Sequence, residues 1–376
     1  MEVISKELYE KIKEQSITGR YVVHSQIQEV LNNLPSSYKI EHVGSSVLGK
    51  SINTVKIGTG KEKVFMWSQM HGNESTTTKA VCDLFNFLVS DDVLAKSILN
   101  HCTLMIIPML NPDGAEAYTR VNANEVDLNR DAQDRSQPES NVLRDVFERF
   151  EPDFCFNLHD QRTIFNVGKS NEPATVSFLA PAHDEERSIS PSRAISMKLI
   201  VAMNEMLQGI IPNRIGRYDD SFNANCVGDT FQMLNTPTIL FESGHSPSDY
   251  MREQTREYIF LSLLKALHVI AESKVENFSI EKYNLIPENS KHFVDILLIN
   301  ADGLKENYSS QTTIPVQFKE TLINGSLEFV PEYYNPEDTE IKYGHLTIDC
   351  SLDRDLQELK AKEYYPLIDK IFQTLS

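Results

Sequence analysis

Three apolar runs in this chain each end in a residue able to hold a metal ion or a proton, and this constrains the fold more than any other feature. Lys63-Val64-Phe65-Met66-Trp67 leads into His71-Gly72-Asn73-Glu74, Phe154-Cys155-Phe156-Asn157-Leu158 into His159-Asp160, and Thr238-Ile239-Leu240-Phe241 into Glu242. Short apolar runs bounded by polar residues read as buried strands. In open α/β sheets, ligands gather outside the carboxyl ends of the strands. Zn²⁺ favours His nitrogen and carboxylate oxygen, and a catalytic zinc takes three protein ligands and keeps one position open. His71, Glu74 and His159 are therefore a candidate site for one Zn²⁺ per chain, with Glu242 a candidate general base at the same sheet edge. Taken singly, His71 reads as a surface turn residue and His159 as a core histidine. Convergence of the strand ends decides between the two readings.

Two further segments supply polar groups. Asn111-Pro112-Asp113-Gly114 is a turn signal. After it come Arg120 and the polar cluster Val126-Asp127-Leu128-Asn129-Arg130-Asp131. Arginine offers a rigid fork of donors that fits a carboxylate or an oxyanion. The bland reading of Arg130 is a surface ion pair with Asp127 or Asp131, worth about 0–1 kcal/mol.

With Gly44-Ser45-Ser46-Val47-Leu48-Gly49-Lys50-Ser51-Ile52 placed before these segments, the ordered set resembles the zinc carboxypeptidase family, the carboxypeptidase A-like metallopeptidases of funnelin fold. The likeness runs from roughly residue 20 to 272, and the order is far more specific than any single motif. It implies an α/β fold, a mixed twisted sheet with helices on both faces. By the same resemblance His71, Glu74 and His159 bind zinc, Glu242 is the general base, and Arg120 stabilises the oxyanion. Asn129 and Arg130 are similar to the pair that grips the substrate's terminal carboxylate, and Tyr218 is the nearest match to the family's mobile tyrosine. One departure stands beside the third ligand, where Asp160 replaces the family's usual serine.

The implied reaction is hydrolysis of a C-terminal peptide or amide bond. Zinc lowers the pKa of bound water from 15.7 to about 7, and a base such as Glu242 contributes on the order of 10²–10⁴ in rate. The expected partner is a peptide or small amide with a free carboxylate. Asp219, Asp220 and Asp229, before Glu242, motivate an expected preference for basic or amphoteric C-terminal residues. Three alternatives stay open: an N-acyl-amino-acid deacylase of the aspartoacylase or succinylglutamate desuccinylase type, a cell-wall peptide amidase, and a non-catalytic zinc- or peptide-binding module. The Asn-Pro-Asp-Gly segment and Arg120 favour the peptidases, and Glu242 argues against a binding module, which needs no base.

At 376 residues the chain exceeds one typical core. The expected division is a catalytic domain over 1–273 and a small β-rich domain over 274–376, where short alternating runs and the hairpin signal Asn324-Gly325 occur. A final helix is expected from Asp355 to Leu375. A net charge of −18 argues against nucleic acid and anionic membranes as partners, and no run has the about 20 apolar residues of a membrane span. Against that acidic background Arg120, Arg130 and Arg162 are expected to form a local anion trap. Five cysteines without framework spacing, and a polar, acidic start, point to a cytoplasmic protein.

Overall fold

The apolar runs are strands in the structure, a computed structural model that describes residues 4–301, 312–334 and 340–374. Two compact units divide the chain, Met1–Gln161 with Ala174–Asn289 and Arg162–Pro173 with Ser290–Ser376.

Among the described residues, the first unit holds an eight-stranded sheet. Its strands are β1 (Lys39–Ser45), β2 (Ser51–Ile57), β3 (Glu62–Ser68), β4 (Cys102–Ile107), β5 (Phe154–Asp160), β6 (Val176–Leu179), β7 (Ile215–Arg217) and β8 (Thr238–Ser243), in the spatial order β1-β2-β4-β3-β5-β8-β6-β7. The central strands β4, β3, β5 and β8 run parallel, and antiparallel pairings with β2 and β6 flank them. The sheet is thus mixed, as expected.

Side-chain alternation divides the interior into two cores. Val64, Met66, Leu104, Ile106, Phe156 and Leu158 point to one face, sharing a core with residues of helices α1 (Lys6–Ile12), α2 (His24–Asn32), α3 (Thr76–Leu88), α4 (Val93–His101), α5 (Pro112–Ala117), α7 (Pro191–Gln208) and α9 (Glu253–Ala271). Phe65, Trp67, Met105, Ile107 and Cys155 point to the other, against α6 (Pro138–Phe150) and α8 (Val227–Met233). Burial on both faces is what makes the parallel strands read as continuous apolar runs.

A buried ion pair fastens the N-terminal segment to this layer. Arg256 on α9 forms a fork on Asp83 of α3, with N–O distances of 2.6 and 2.7 Å, and both side chains are fully buried. Tyr9 donates its hydroxyl to the same carboxylate at 3.0 Å. Arg256 also donates to the carbonyls of Ile17 and Glu14. α3, which follows Glu74 in the chain, is thereby tied to α9 and to the N-terminal segment.

The second unit contains β9 (Phe293–Ile299), β10 (Ile314–Ile323), β11 (Ser326–Tyr333) and β12 (Tyr343–Asp349), in the order β11-β10-β9-β12. Asn324 and Gly325 join β10 to β11 with φ of 51° and 81°, the left-handed pair that a tight hairpin needs. The single final helix expected from Asp355 is instead two, Asp353–Lys360 and Tyr365–Thr374, because Pro366 lacks the N–H that a continuous helix would require. Leu375 lies outside the described residues.

The unit boundary also differs from the expected 273/274. Residues 275–289 stay with the first unit, since the helix Ile280–Asn284 packs on α7 and buries Tyr283, whose hydroxyl accepts the Ala180 N–H at 3.1 Å. Conversely, residues 162–173 join the second unit, where Ile164 accepts from the Phe293 N–H and Thr163 from the Gln317 side chain.

Replacing Arg256 by Ala strands the Asp83 carboxylate in the interior. The expected cost is about 3–5 kcal/mol, read as a lower urea midpoint with an unchanged denaturant slope; an unshifted midpoint contradicts it.

Candidate metal centre and active site

The loop between β3 and α3 is shaped by backbone contacts before any ligand is considered. Beyond Ser68 the chain turns through Gln69 at φ 51°, and the Gln69 side-chain amide donates to the carbonyls of Val22 and Gly72, both at 2.9 Å. Asn111 holds the next residue, donating to the Met70 carbonyl at 3.1 Å. The same side chain accepts the Gly114 N–H at 2.9 Å, so Asn111 caps the short helix Pro112–Ala117. The Asn-Pro-Asp-Gly segment, expected as a turn, is thus a helix start that supports the ligand loop. Gly72 is required there, because a Cβ on it would lie 1.9 Å from the Gly114 carbonyl carbon.

His71, Glu74 and His159 converge as expected, with one donor atom from each lying within 4.8 Å of the others. His71 Nδ1 is 2.9 Å from Glu74 Oε1, His159 Nδ1 is 2.9 Å from Glu74 Oε2, and the two ring nitrogens are 3.1 Å apart. All three residues are buried. Two imidazole nitrogens and a carboxylate facing one point are a zinc donor set, so the residues present fit that ion. Burial opposes the charge on Glu74, but the adjacent His71 and His159 hold its carboxyl well below the usual range. Burial lowers the pKa of His159, whereas the carboxylates beside His71 outweigh burial and raise it. These directions belong to the metal-free cluster, since a dication takes neutral imidazole and displaces protons.

Glu242 stands next to the triad through strand register. His159 on β5 pairs with Glu242 on β8, and in a parallel ladder paired residues face the same side about 4.8 Å apart. Glu242 is buried, and its Oε2 finds no hydrogen-bond partner among the described residues. Burial, with Glu74 and Asp160 adding their charge, pushes the pKa of Glu242 well up.

Arg120 reaches the same place, donating through Nη1 to Glu74 Oε1 at 3.3 Å and through Nε to Asp127 Oδ2 at 3.0 Å. Asp127, in sequence a partner for Arg130, has a different role in the fold. Its carboxylate in fact spans His71 Nε2 at 3.0 Å, Arg120, and the Asn129 N–H at 2.9 Å. Burial opposes its charge, but His71 and Arg120 hold its carboxyl well below the usual range. A carboxylate on the far nitrogen of a ligating histidine fixes the ring's tautomer and orientation. The signal was its place two residues before Asn129.

Asn129 and Arg130 lie on the short 3₁₀ turn Leu128–Arg130. The Asn129 side-chain oxygen accepts the Val227 N–H at 3.1 Å, which fastens this turn to the start of α8. Arg130 is exposed and donates to the Asn129 carbonyl, and it forms no ion pair with Asp127 or Asp131, whose carboxylates are taken by other donors. Arg162 falls in the second unit, its guanidinium 5.8 Å from the Tyr334 ring centre, whereas Arg120 and Arg130 belong to the first. Tyr218 follows the outer strand β7, half-buried, with its N–H on the Phe178 carbonyl.

The three acidic residues expected to read the substrate part company. Asp220 is paired with Arg187 at 3.2 Å and with the buried Arg193, which withdraws it from that role. Asp219 is exposed and accepts from Ser221. Asp229 is buried, and burial pushes its pKa up to about 7.

Residues 23–167 match the family model described as zinc carboxypeptidase. Over 113 residues the chain is 26% identical to "Probable carboxypeptidase 2" of Arthroderma benhamiae, covering 30% of this chain and 21% of that protein, so it spans about a fifth of that relative's length. It is 28% identical over 135 residues to "Carboxypeptidase SOL1" of Arabidopsis thaliana, covering 32% and 28% of the two chains. The fold is similar to that of a metallo-carboxypeptidase from Burkholderia cenocepacia, with a TM-score of 0.54 at 16% identity over 66% of this chain and 69% of that one. With its ordered motifs matched across residues 23–167 and its two histidines and glutamate converging on one point, the chain is similar over that segment to the zinc carboxypeptidase family.

Proposed function

We propose that the first unit is a zinc-dependent carboxypeptidase that hydrolyses the C-terminal peptide bond of a peptide carrying a free carboxylate. The observation that carries this reading is the pairing of Glu242 with His159, which sets a buried, partly unsatisfied carboxylate beside a metal triad. When bound, zinc supplies a Lewis acid that polarises a carbonyl and lowers the pKa of water.

The chain's own groups divide the remaining work. Glu242 removes a proton from the attacking water and returns it to the leaving amine. Its raised proton affinity, set by burial and the charges of Glu74 and Asp160, suits a group that must hold a proton between two transfers. Arg120, held by Glu74 and Asp127, presents donors to negative charge growing on the carbonyl oxygen. Arg130, exposed and with no ion pair among the described residues, is the fork for the substrate carboxylate. Asn129 contributes by anchoring that turn to α8. Tyr218 is the proposed tyrosine at the rim. The five cysteines carry no disulfide, and this supports a reducing, cytoplasmic setting.

Glu242→Gln is expected to keep about one zinc per chain and lose roughly 10²–10⁴ in kcat, whereas His159→Ala is expected to lose the metal itself. Metal analysis beside turnover of a peptide panel and of N-acetylated amino acids checks both; a fully active Glu242→Gln protein refutes the base assignment.

Arg130→Ala is expected to raise KM for peptides with a free C-terminus about ten- to hundredfold, the worth of charged hydrogen bonds at about 1.5–3 kcal/mol. Cleavage of C-terminally amidated peptides, slow in the wild type, is expected to be unchanged by the substitution. Equal losses on both substrates would remove Arg130 from carboxylate recognition.

A further inference from the structure

The residue that departs from the family pattern, Asp160, is bonded to the end of β8, to the start of α3 and to Glu74. It is the last residue of β5, directly after His159. Its Oδ1 accepts the hydroxyl of Ser243, directly after Glu242 on β8 and its partner in register. Its Oδ2 accepts the N–H of Thr76, the first residue of α3 and two residues after Glu74, at 3.0 Å. Its own N–H donates to Glu74 Oε2 at 3.2 Å. The side chain is buried.

The cap on α3 is unusual in origin. Ser75 occupies the N-cap position but makes no side-chain cap, because its hydroxyl donates to the Arg20 carbonyl at 2.6 Å. Asp160, distant in sequence, supplies the missing acceptor at the positive end of the helix. Arg252 closes the arrangement from behind, donating to the carbonyls of Ser243 and Gln161, the second at 2.6 Å. A serine at position 160 is one atom shorter in its reach and has one oxygen, so it could not span Thr76 and Ser243 together.

Resting on the carboxypeptidase reading of this site, we infer that Asp160 is a positioning residue that sets the separation between the metal pair Glu74 and His159 and the base Glu242. It acts by tying β5, β8 and α3 together one or two residues from each of those groups. It touches neither substrate nor metal. A tie of this kind affects how well the metal is held and how well the base is aimed. Substrate binding is left to Arg130 and the loops around it.

The test compares Asp160→Ala, Asp160→Asn and Ser243→Ala with the wild-type full chain. Zinc affinity is measured by chelator competition, kcat and KM on zinc-loaded protein, and melting temperature by calorimetry. Asp160→Ala is expected to weaken zinc binding about 10–100-fold and to lower kcat by a similar factor, with KM within about threefold of wild type. Asp160→Asn keeps a carbonyl acceptor for Thr76 and an NH₂ for Ser243, and is expected to stay within about threefold of wild type in both quantities. Ser243→Ala removes one tie and is expected to fall between them, which decides the matter should Asp160→Ala fold poorly. A drop in melting temperature with wild-type zinc affinity and kcat would make Asp160 a helix cap and nothing more. Equal impairment of the Asn and Ala variants would assign the effect to charge and overturn positioning. Because chelator competition needs no substrate, it still decides this point if the wild-type chain proves inert toward peptides, a result that would count against the carboxypeptidase reading instead.

Discussion

A buried carboxylate is tolerable only where donors surround it, and Glu74 is such a group. His71, His159, Arg120 and the Asp160 N–H all turn toward its two oxygens. Those four partners come from three separate regions of the chain, so the fold has to bring a strand end, a polar loop and the Glu74 turn to one point before any of them is satisfied. Glu242, one strand away from His159, has the opposite fate. It shares the burial of Glu74 without comparable cationic company, and its proton affinity rises where that of Glu74 falls. Two carboxylates with their pKa values driven apart by environment are the arrangement from which acid–base roles are read.

The sheet makes this convergence possible. Parallel alignment of β3, β5 and β8 sends all their carboxyl ends to one edge, and register then fixes which side chains are neighbours. A shift of one residue would turn Glu242 to the opposite face. Such slippage is resisted because apolar residues of these strands are already committed to one of two cores, with Phe156 and Leu158 on one side and Cys155 on the other. Packing energy far from the metal therefore protects the geometry at it.

The strands and the metal triad were legible because both leave local marks: an unbroken apolar run, and a His or Glu where it stops. The flanking order of Arg120, Asn129, Arg130 and Glu242 was legible as a pattern. Contacts made by tertiary hydrogen bonds were not. Asp127 looked like a partner for Arg130 three residues on, whereas the fold gives it His71 and Arg120. Asn111 looked like part of a turn, though its amide bridges a helix start and the ligand loop. Both residues find partners far along the chain, and separation in sequence carries no mark of such contacts.

Arg120 and Arg130 differ in how much freedom they retain, and that difference bears on the role each is suited to. Arg120 is tied at both ends of its guanidinium, to Glu74 and to Asp127, so its donors are in place before a reaction begins and need no reorganisation as charge develops. Among the described residues Arg130 donates only to its neighbour's carbonyl, and it is exposed, so ordering it against a ligand costs side-chain entropy at the moment of binding. A fixed donor is suited to stabilising a transition state and expresses itself in kcat. A mobile one is suited to capturing a carboxylate from solution and expresses itself in KM, all the more because its positive charge sits in a chain of net charge −18 whose wider surface repels anions.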